Sequence, residues 1–475
     1  MENPNRARIE DDMLLTMFDP FDASKDATQD TIDERLAFLD AVHASSIGLE
    51  CGKPPSSKIL GAVFHMLRTE KSLQLIVASY KLLVDLEKHF PRAYLSGKDD
   101  SLSSSNSPPK LVVAEEAWSP LIIGLDNAAG VGGASDKQSG GPLDPSSFHL
   151  LIEELAKTLA DSNIKATSMK YLQSLLLFQY LVIVLEGDFL PRNATMNWSL
   201  QRESLLNMLL GSRKMNYKSL MKYCMEVICL LCQLLENDLS KNVEVEKSSE
   251  SDTGDIALSL ALLEVLKNTR ASIEKLLVMI MALDNSKKKA DIEGNTSRSD
   301  GPRTPLVDII LDELAYCKDN IPLFLKAFSE PKWKLEIVVQ YLWKYITKPS
   351  ARTRRSNGVN EDTTFDGALK CFSNNTGTKS IIKKIGADVV QLLLAHGFQE
   401  LNNCGFQAQL SILSERNTND NIGGDRNEGA SALVDLCEAF ISAFDSLIST
   451  DGDLEILSIG KEALFTAATV ISIKS

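Results

Sequence analysis

The chain of 475 residues could hold two or three domains or one elongated repeat array, and with 44% hydrophobic and 24% charged residues it is not wholly disordered. Aromatics make up only 6% and the apolar text is rich in Leu and Ile, which favours helix-on-helix packing over an all-β core. With 50 Lys/Arg against 64 Asp/Glu the formal charge is −14, which argues against tight, sequence-independent coating of DNA.

Residues 1–30 are polar and read as a disordered N-terminus. The opening MENPNRARIEDDMLL is acidic and lacks an apolar stretch, so no secretory signal is expected, and the eight cysteines are expected as reduced thiols of a cytosolic or nuclear protein. Helical pattern begins at Thr31, with Ile32, Leu36 and Leu39 on one face and His43 at its edge. PPSSKILGAVFHMLR follows, with Pro54 and Pro55 at its start. Ser72 is the expected N-cap of LQLIVASYKLLVDLEKHF, which Pro91 ends. Linkers rich in Ser, Gly and Pro lie near 96–110 and 126–145. Between them, LVVAEEAWSPLIIGL reads as an extended segment that packs Trp118 onto helices.

From Ser146 to Asp238 the text is almost continuously helical. Its longest apolar run, Leu175–Leu185, includes a Gln and is too short to span a bilayer, which needs roughly 20 residues, so no membrane association is expected. A charged linker near 239–255 precedes IALSLALLEVLKNTRASIEKLLVMIMAL. A basic linker near 285–303 then displays Lys287, Lys288, Lys289, Arg298 and Arg303. Pro305 opens the next helix, with Thr304 as its cap and Val307, Ile310, Leu311 and Leu314 as its apolar face. Pro331 opens PKWKLEIVVQYLWKYI, where Lys332, Glu336, Gln340 and Lys344 form a narrow polar stripe and Trp343 is expected in the core. A linker near 348–364 carries Lys348, Arg352, Arg354 and Arg355, and the last helices flank a gap near 416–429. This is an all-α pattern over 31–475, an irregular helical repeat or α-solenoid with long disordered linkers, without a strict internal period or a run that reads as a sheet.

The chemistry-bearing residue types are dispersed. Cys224, Cys229 and Cys232 lie within one helix, and the first two fall on different faces, so core packing is expected rather than a metal site. The loop Gly130–Gly141 lacks the G-K-[ST] ending of a phosphate cradle. The adjacent pairs Asp312–Glu313 and Glu153–Glu154 diverge on their helices and read as solvated faces. No catalytic, metal or cofactor residue is assigned, and no small-molecule substrate is expected. The basic segments stand out. From Ile321 to Lys384 there are 12 Lys/Arg against 5 Asp/Glu, a net of +7 on a remainder of −21. Lys344, Lys348, Arg352, Arg354 and Arg355 lie close together with no acid among them, which suits a nuclear-import signal or contact with phosphate or an acidic protein.

The segments Glu274–Arg355 and Thr195–Lys222 (TMNWSLQRESLLNMLLGSRKMNYKSLMK) closely resemble the plant suppressor-of-immunity family, the negative regulators of systemic acquired resistance. ERLAFLDAVHASS, EEAWSP, KKIGADVVQLLLAHGF and GKEALFTAA extend the resemblance collinearly from about residue 31 to the C-terminus. The resemblance implies an armadillo-like nuclear protein that restrains defence-gene transcription. It also implies a subunit of the structural-maintenance-of-chromosomes five–six complex, acting in recombinational DNA repair, with the other subunits as partners and only indirect or weak contact with DNA. It brings no catalytic residues. The matched residues Lys287–Lys289, Arg298, Arg303, Arg352, Arg354 and Arg355 are carried over as a candidate interaction surface. The chain departs from the family pattern at Ser101–Pro109, Ala128–Pro142 and Arg416–Asp425. The rival expectations are a direct DNA-binding repressor, which would need a recognition helix, a hydrolase or transferase with a site of dispersed residues, and a generic helical-repeat adaptor.

Overall fold

The computed structural model describes residues 29–48, 52–96, 110–114, 118–122, 141–161, 169–245, 253–297, 300–301, 303–346, 364–373, 375–415 and 426–474. The chain divides into two compact units, Met1–Leu306 and Val307–Ser475. Among the described residues there are seventeen helices and one two-stranded antiparallel ribbon, so the all-α, solenoid-like class expected from the sequence is borne out.

The first unit opens with α1 (Gln29–Ser46), α2 (Ser57–Thr69) and α3 (Leu73–His89). In α1 the buried stripe is Phe38, Leu39, Val42 and Ser46; of the expected face Leu39 is buried, Ile32 and Leu36 are half-buried, and His43 at its edge is exposed. Pro54 and Pro55 precede the Ser56 N-cap of α2 and are not part of the helix. Ser72 occupies the N-cap position of α3, as its sequence suggests, but its hydroxyl makes no cap hydrogen bond. Strands β1 (Ala93–Ser96) and β2 (Lys110–Val113) then pair antiparallel, a short sheet that their sequence did not announce. Just beyond, Trp118 packs edge-on against Phe64 of α2 at 5.5 Å, in agreement with the expected extended segment.

The long helices follow: α4 (Pro145–Ala160), α5 (Met169–Ala194), the short α6 (Trp198–Arg202) and α7 (Leu205–Leu210), α8 (Tyr217–Val245) and α9 (Thr253–Glu293). The linker expected near 239–255 is therefore helical through Val245 and again from Thr253. Helix α5 holds the unit together by packing against α3, α4, α9 and β1. The apolar run Leu175–Leu185 sits inside this 26-residue helix, which is long and apolar enough to cross a membrane, and 67% of its most apolar window is buried within the protein. Its one buried amide is fully engaged. Gln179 accepts from Tyr80 Oη at 3.0 Å and donates to Val265 O at 3.0 Å and Thr269 Oγ1 at 2.8 Å. A satisfied polar group of this kind fixes the register of α3, α5 and α9, since an unsatisfied one would cost about 1–3 kcal/mol.

The second unit contains α10 (Leu306–Tyr316), α11 (Asn320–Ala327), α12 (Pro331–Tyr345), α13 (Phe365–Lys370), α14 (Asn375–Ile385), α15 (Ala387–Glu415), α16 (Arg426–Thr450) and α17 (Ser458–Lys474). Ile310, Leu311 and Leu314 are buried on α10 and Val307 is half-buried, close to the expected face. Pro331 is in the first turn of α12, where its missing N–H costs nothing. The core of the second unit is aromatic: Phe398 stacks on Phe440 at 4.3 Å, and Phe365 packs against Gly397, where its ring leaves no room for a Cβ.

Candidate interaction surface

The triad Lys287–Lys289 is helical. It occupies the last turns of α9, not a loop as its composition suggested. SKKKADIE is made largely of good helix formers, and the helix stops only at Gly294, whose φ of +73° needs a residue without a Cβ. The Asn295 N–H reaches back to Ala290 O at 2.8 Å and closes the end. The three lysines have different fates. Lys287 Nζ donates to Asp300 O at 2.8 Å and also to Gly301 O, so it ties down the following turn. Lys289 Nζ stands 4.0 Å from Glu293 Oε1, and Lys288 is exposed.

Arg303 is also structural. Its Nη2 and Nε donate to Asp284 Oδ1 at 2.6 and 3.2 Å, and its guanidinium lies over the Tyr217 ring at 5.3 Å. The other Asp284 oxygen accepts the N–H of Leu306, the last residue of the first unit, at 2.8 Å. Burial raises the Tyr217 phenol pKa, with the Asp284 charge adding to the effect. Arg303 is thus spent on joining α8 and α9 within the first unit.

Beside this join, the two segments that carry the strongest family resemblance meet. A cleft of about 420 Å³ is lined by Met196, Asn197, Trp198, Ser199 and Gln201 on one side and by Ser286, Lys289, Ala290, Glu293 and Asn295 on the other. Met196 turns the chain between α5 and α6 at a positive φ of 54°, unusual for a residue with a side chain, and is left 68% exposed. Asn197 Oδ1 caps α6 by accepting the Ser199 N–H at 2.9 Å. Gln201 is fully buried; it donates to Asn193 Oδ1 at 2.8 Å while its own Oε1 has no partner among the described residues. Arg202 reaches Ser297 Oγ at 3.3 Å and Asp300 Oδ1 at 3.7 Å. Burial would raise the Asp300 pKa. The Ser297 amide and hydroxyl outweigh it, with Trp198 and Arg202 adding to them, and hold the carboxyl below its usual range. The cleft therefore combines an exposed thioether, amide and hydroxyl groups and a Lys–Glu pair on a braced frame, features suited to hydrogen-bonded docking. Its sequence gave little warning, because a left-handed Met has no compositional signature.

In the second unit Lys344 is on α12, where its Nζ meets Asp312 Oδ1 at 2.9 Å and Leu311 O at 3.4 Å. Trp343 is half-buried, not in the core, and its indole N–H donates to Thr364 O at 3.1 Å. Arg298, Lys348, Arg352, Arg354 and Arg355 lie outside the described residues. Lys334, which no local pattern singles out, is nine-tenths buried beside Glu400 of α15. Cys224, Cys229 and Cys232 are buried in the core of the first unit, and burial pushes the Cys224 thiol up to about 12, which keeps it protonated and unreactive.

The chain matches the model of the SNI1 middle domain over residues 92–330 and that of the SNI1 C-terminal domain over residues 346–475. It is 42% identical to the negative regulator of systemic acquired resistance SNI1 of Arabidopsis thaliana over 471 residues, which cover 97% of this chain and 94% of the relative. No solved structure matches it.

Proposed function

We propose a function for a chain that belongs to the SNI1 family: it is a non-enzymatic nuclear scaffold that restrains plant defence-gene transcription and acts in DNA repair and homologous recombination as a subunit of the structural-maintenance-of-chromosomes five–six complex. The observation that carries the defence role is the near full-length similarity to a relative named as a negative regulator of systemic acquired resistance. The chromosome-maintenance role rests on the family resemblance of the segments around Thr195–Lys222 and Glu274–Arg355.

A helical framework with a braced surface cleft suits a protein that works by holding partners. The disposition of charge supports protein contact over direct DNA coating. Lys287, Arg303, Lys334 and Lys344 are each taken up by internal carbonyls or carboxylates, and the net charge is −14. Affinity purification of the tagged chain from nuclei, with mass spectrometry of the recovered proteins, tests this. Recovery of chromosome-maintenance subunits is expected. Their absence, together with salt-sensitive binding of the purified chain alone to duplex DNA, would favour the direct repressor.

A further inference from the structure

A second cavity in the first unit, about 870 Å³, opens between the entry to α2, the end of α3 and the β1–β2 ribbon. This is within the usual range of small-ligand sites, about 300–1,000 Å³. Phe90, Tyr94, Trp118 and Tyr180 supply aromatic walls, and Glu87 and Arg92 are polar groups among them. Glu87 sits at the α3–α5 contact, where a Cβ added to Gly187 would stand 3.2 Å from its Oε1. That oxygen is shut from solvent and has no hydrogen-bond donor among the described residues.

The neighbouring charges are already engaged. Arg192 Nε and Arg92 Nε stand 3.1 and 3.6 Å from Asp188 Oδ1, and Asp188 Oδ2 accepts the Leu205 N–H at 2.7 Å. Lys88 lies 3.7 Å from Asp85, and His89 Nδ1 is 3.0 Å from Asp85 O. Among the described residues Glu87 has no comparable hydrogen bond or ion pair. Burial pushes its pKa up to about 7, with Asp188 adding to the rise and Arg92 opposing it.

We propose that this cavity binds an organic cation, an alkylammonium or guanidinium group that lies over the aromatic walls and takes Glu87 as its carboxylate partner. The ring faces attract a cation electrostatically, more strongly when water is excluded. The arriving charge supplies what the surroundings of Glu87 lack. The same chemistry is offered by a free small amine and by a Lys or Arg side chain of a partner polypeptide. The site is separate from the cleft beside α6 and does not depend on the scaffold function.

The test uses the full chain and isothermal titration with n-butylguanidinium and n-butylammonium, with n-butylurea as the neutral isostere and capped Lys- and Arg-containing tetrapeptides as a second arm. The cations are expected to bind and the urea to bind about tenfold more weakly. Cation binding should weaken about tenfold from pH 8 to pH 6, because only ionised Glu87 is a partner. Glu87→Gln should remove both the preference and the pH dependence. Tyr94→Ala, at an exposed rim position, should weaken binding without loss of fold. Tighter binding of the peptides identifies a polypeptide source, and tighter binding of the free cations a small amine. Equal binding of urea and cations, binding that tightens as pH falls, insensitivity to Glu87→Gln in the folded variant, or no binding of either cation class at millimolar concentration would each overturn the proposal.

Discussion

Lys334 Nζ of α12 stands 3.0 Å from Glu400 Oε1 of α15, and each side chain is less than a tenth exposed. Asn403 Nδ2 donates to the Glu400 carboxylate at 3.1 Å, one turn further along α15. Two charges taken out of water hold each other only in this geometry, so the pair fixes how α12 lies on α15. Removing one partner leaves the other buried and uncompensated. Lys334→Met should therefore lower the stability of the second unit by about 3–5 kcal/mol, and Lys334→Met with Glu400→Met should recover much of that loss. Denaturant unfolding of the single and double variants checks it. Additive losses in the double variant would show that the pair is not coupled.

The Asp284–Arg303 join predicts a purely structural phenotype for a residue first placed on an interaction surface. Asp284→Ala removes two charge-assisted hydrogen bonds to Arg303 and the acceptor of the Leu306 N–H. The expected cost is about 2–4 kcal/mol, the sum of a lost backbone acceptor and a lost charged pair. Arg303→Ala should cost about 1–3 kcal/mol, since it also gives up the face of Tyr217. Thermal melts of both variants decide the point, and a wild-type melt for Arg303→Ala would return that residue to the surface.

Trp343→Ala should be milder than the roughly 3–5 kcal/mol of a buried tryptophan. The ring is half-buried and its N–H is bonded to Thr364 O. A loss of about 1–2 kcal/mol is expected, with increased protease sensitivity around Thr364 as the α12–α13 tie is released.

Two groups give stability opposite pH dependences. Burial, with the Lys334 charge second, lowers the His396 pKa to about 3, so between its ordinary value of 6.5 and about 3 the unfolded chain binds a proton that the folded chain refuses. His396 thus contributes stability above pH 6.5 that is lost as pH falls through this window. Glu87 behaves in the opposite sense: from its ordinary 4.5 up to about 7 the folded chain keeps a proton that the unfolded chain has released, so stability falls as pH rises. Glu87→Gln should therefore stabilise the chain at pH 8 by on the order of 1 kcal/mol and have little effect at pH 4. His396→Asn should flatten the acid limb. Urea midpoints between pH 4 and pH 8 measure both.

Local signals in the sequence located elements well where they were strong. Pro331, Ser72 and the apolar periodicity of α10 each mark a feature that the structure contains. They failed where composition and propensity disagreed. SKKKADIE looks like a basic loop by charge but is helix by propensity, and Gly294 marks the stop that charge obscured. In α1 the buried stripe runs through Phe38 and Val42, to one side of the face that Ile32, Leu36 and Leu39 suggest, and His43 at its edge is exposed. Lys334 was hidden for a different reason. A lysine on an apolar helix becomes informative only when its distant acid is known, and nothing local connects it to Glu400. The cleft beside Met196 is of the same kind, since it is assembled from two segments separated by α7, α8 and most of α9.

The last prediction concerns Lys348, Arg352, Arg354 and Arg355, which follow α12 in a segment rich in Lys and Arg and free of acids. Lys344 and Lys334 of the same basic region are engaged with Asp312 and Glu400. Lys348, Arg352, Arg354 and Arg355 supply four of the twelve Lys/Arg between Ile321 and Lys384. The segment Lys348–Asn357 contains no large apolar residue that could anchor it in a core. Replacing the four with Ala should leave thermal stability within about 0.5 kcal/mol, as for exposed positions. Nuclear accumulation or partner recovery should fall, and binding by the unsubstituted chain should weaken as salt rises. Normal localisation and recovery of the quadruple variant would show the segment to be a solvated connector. Loss of the cooperative melt would show that these basic residues are part of the fold.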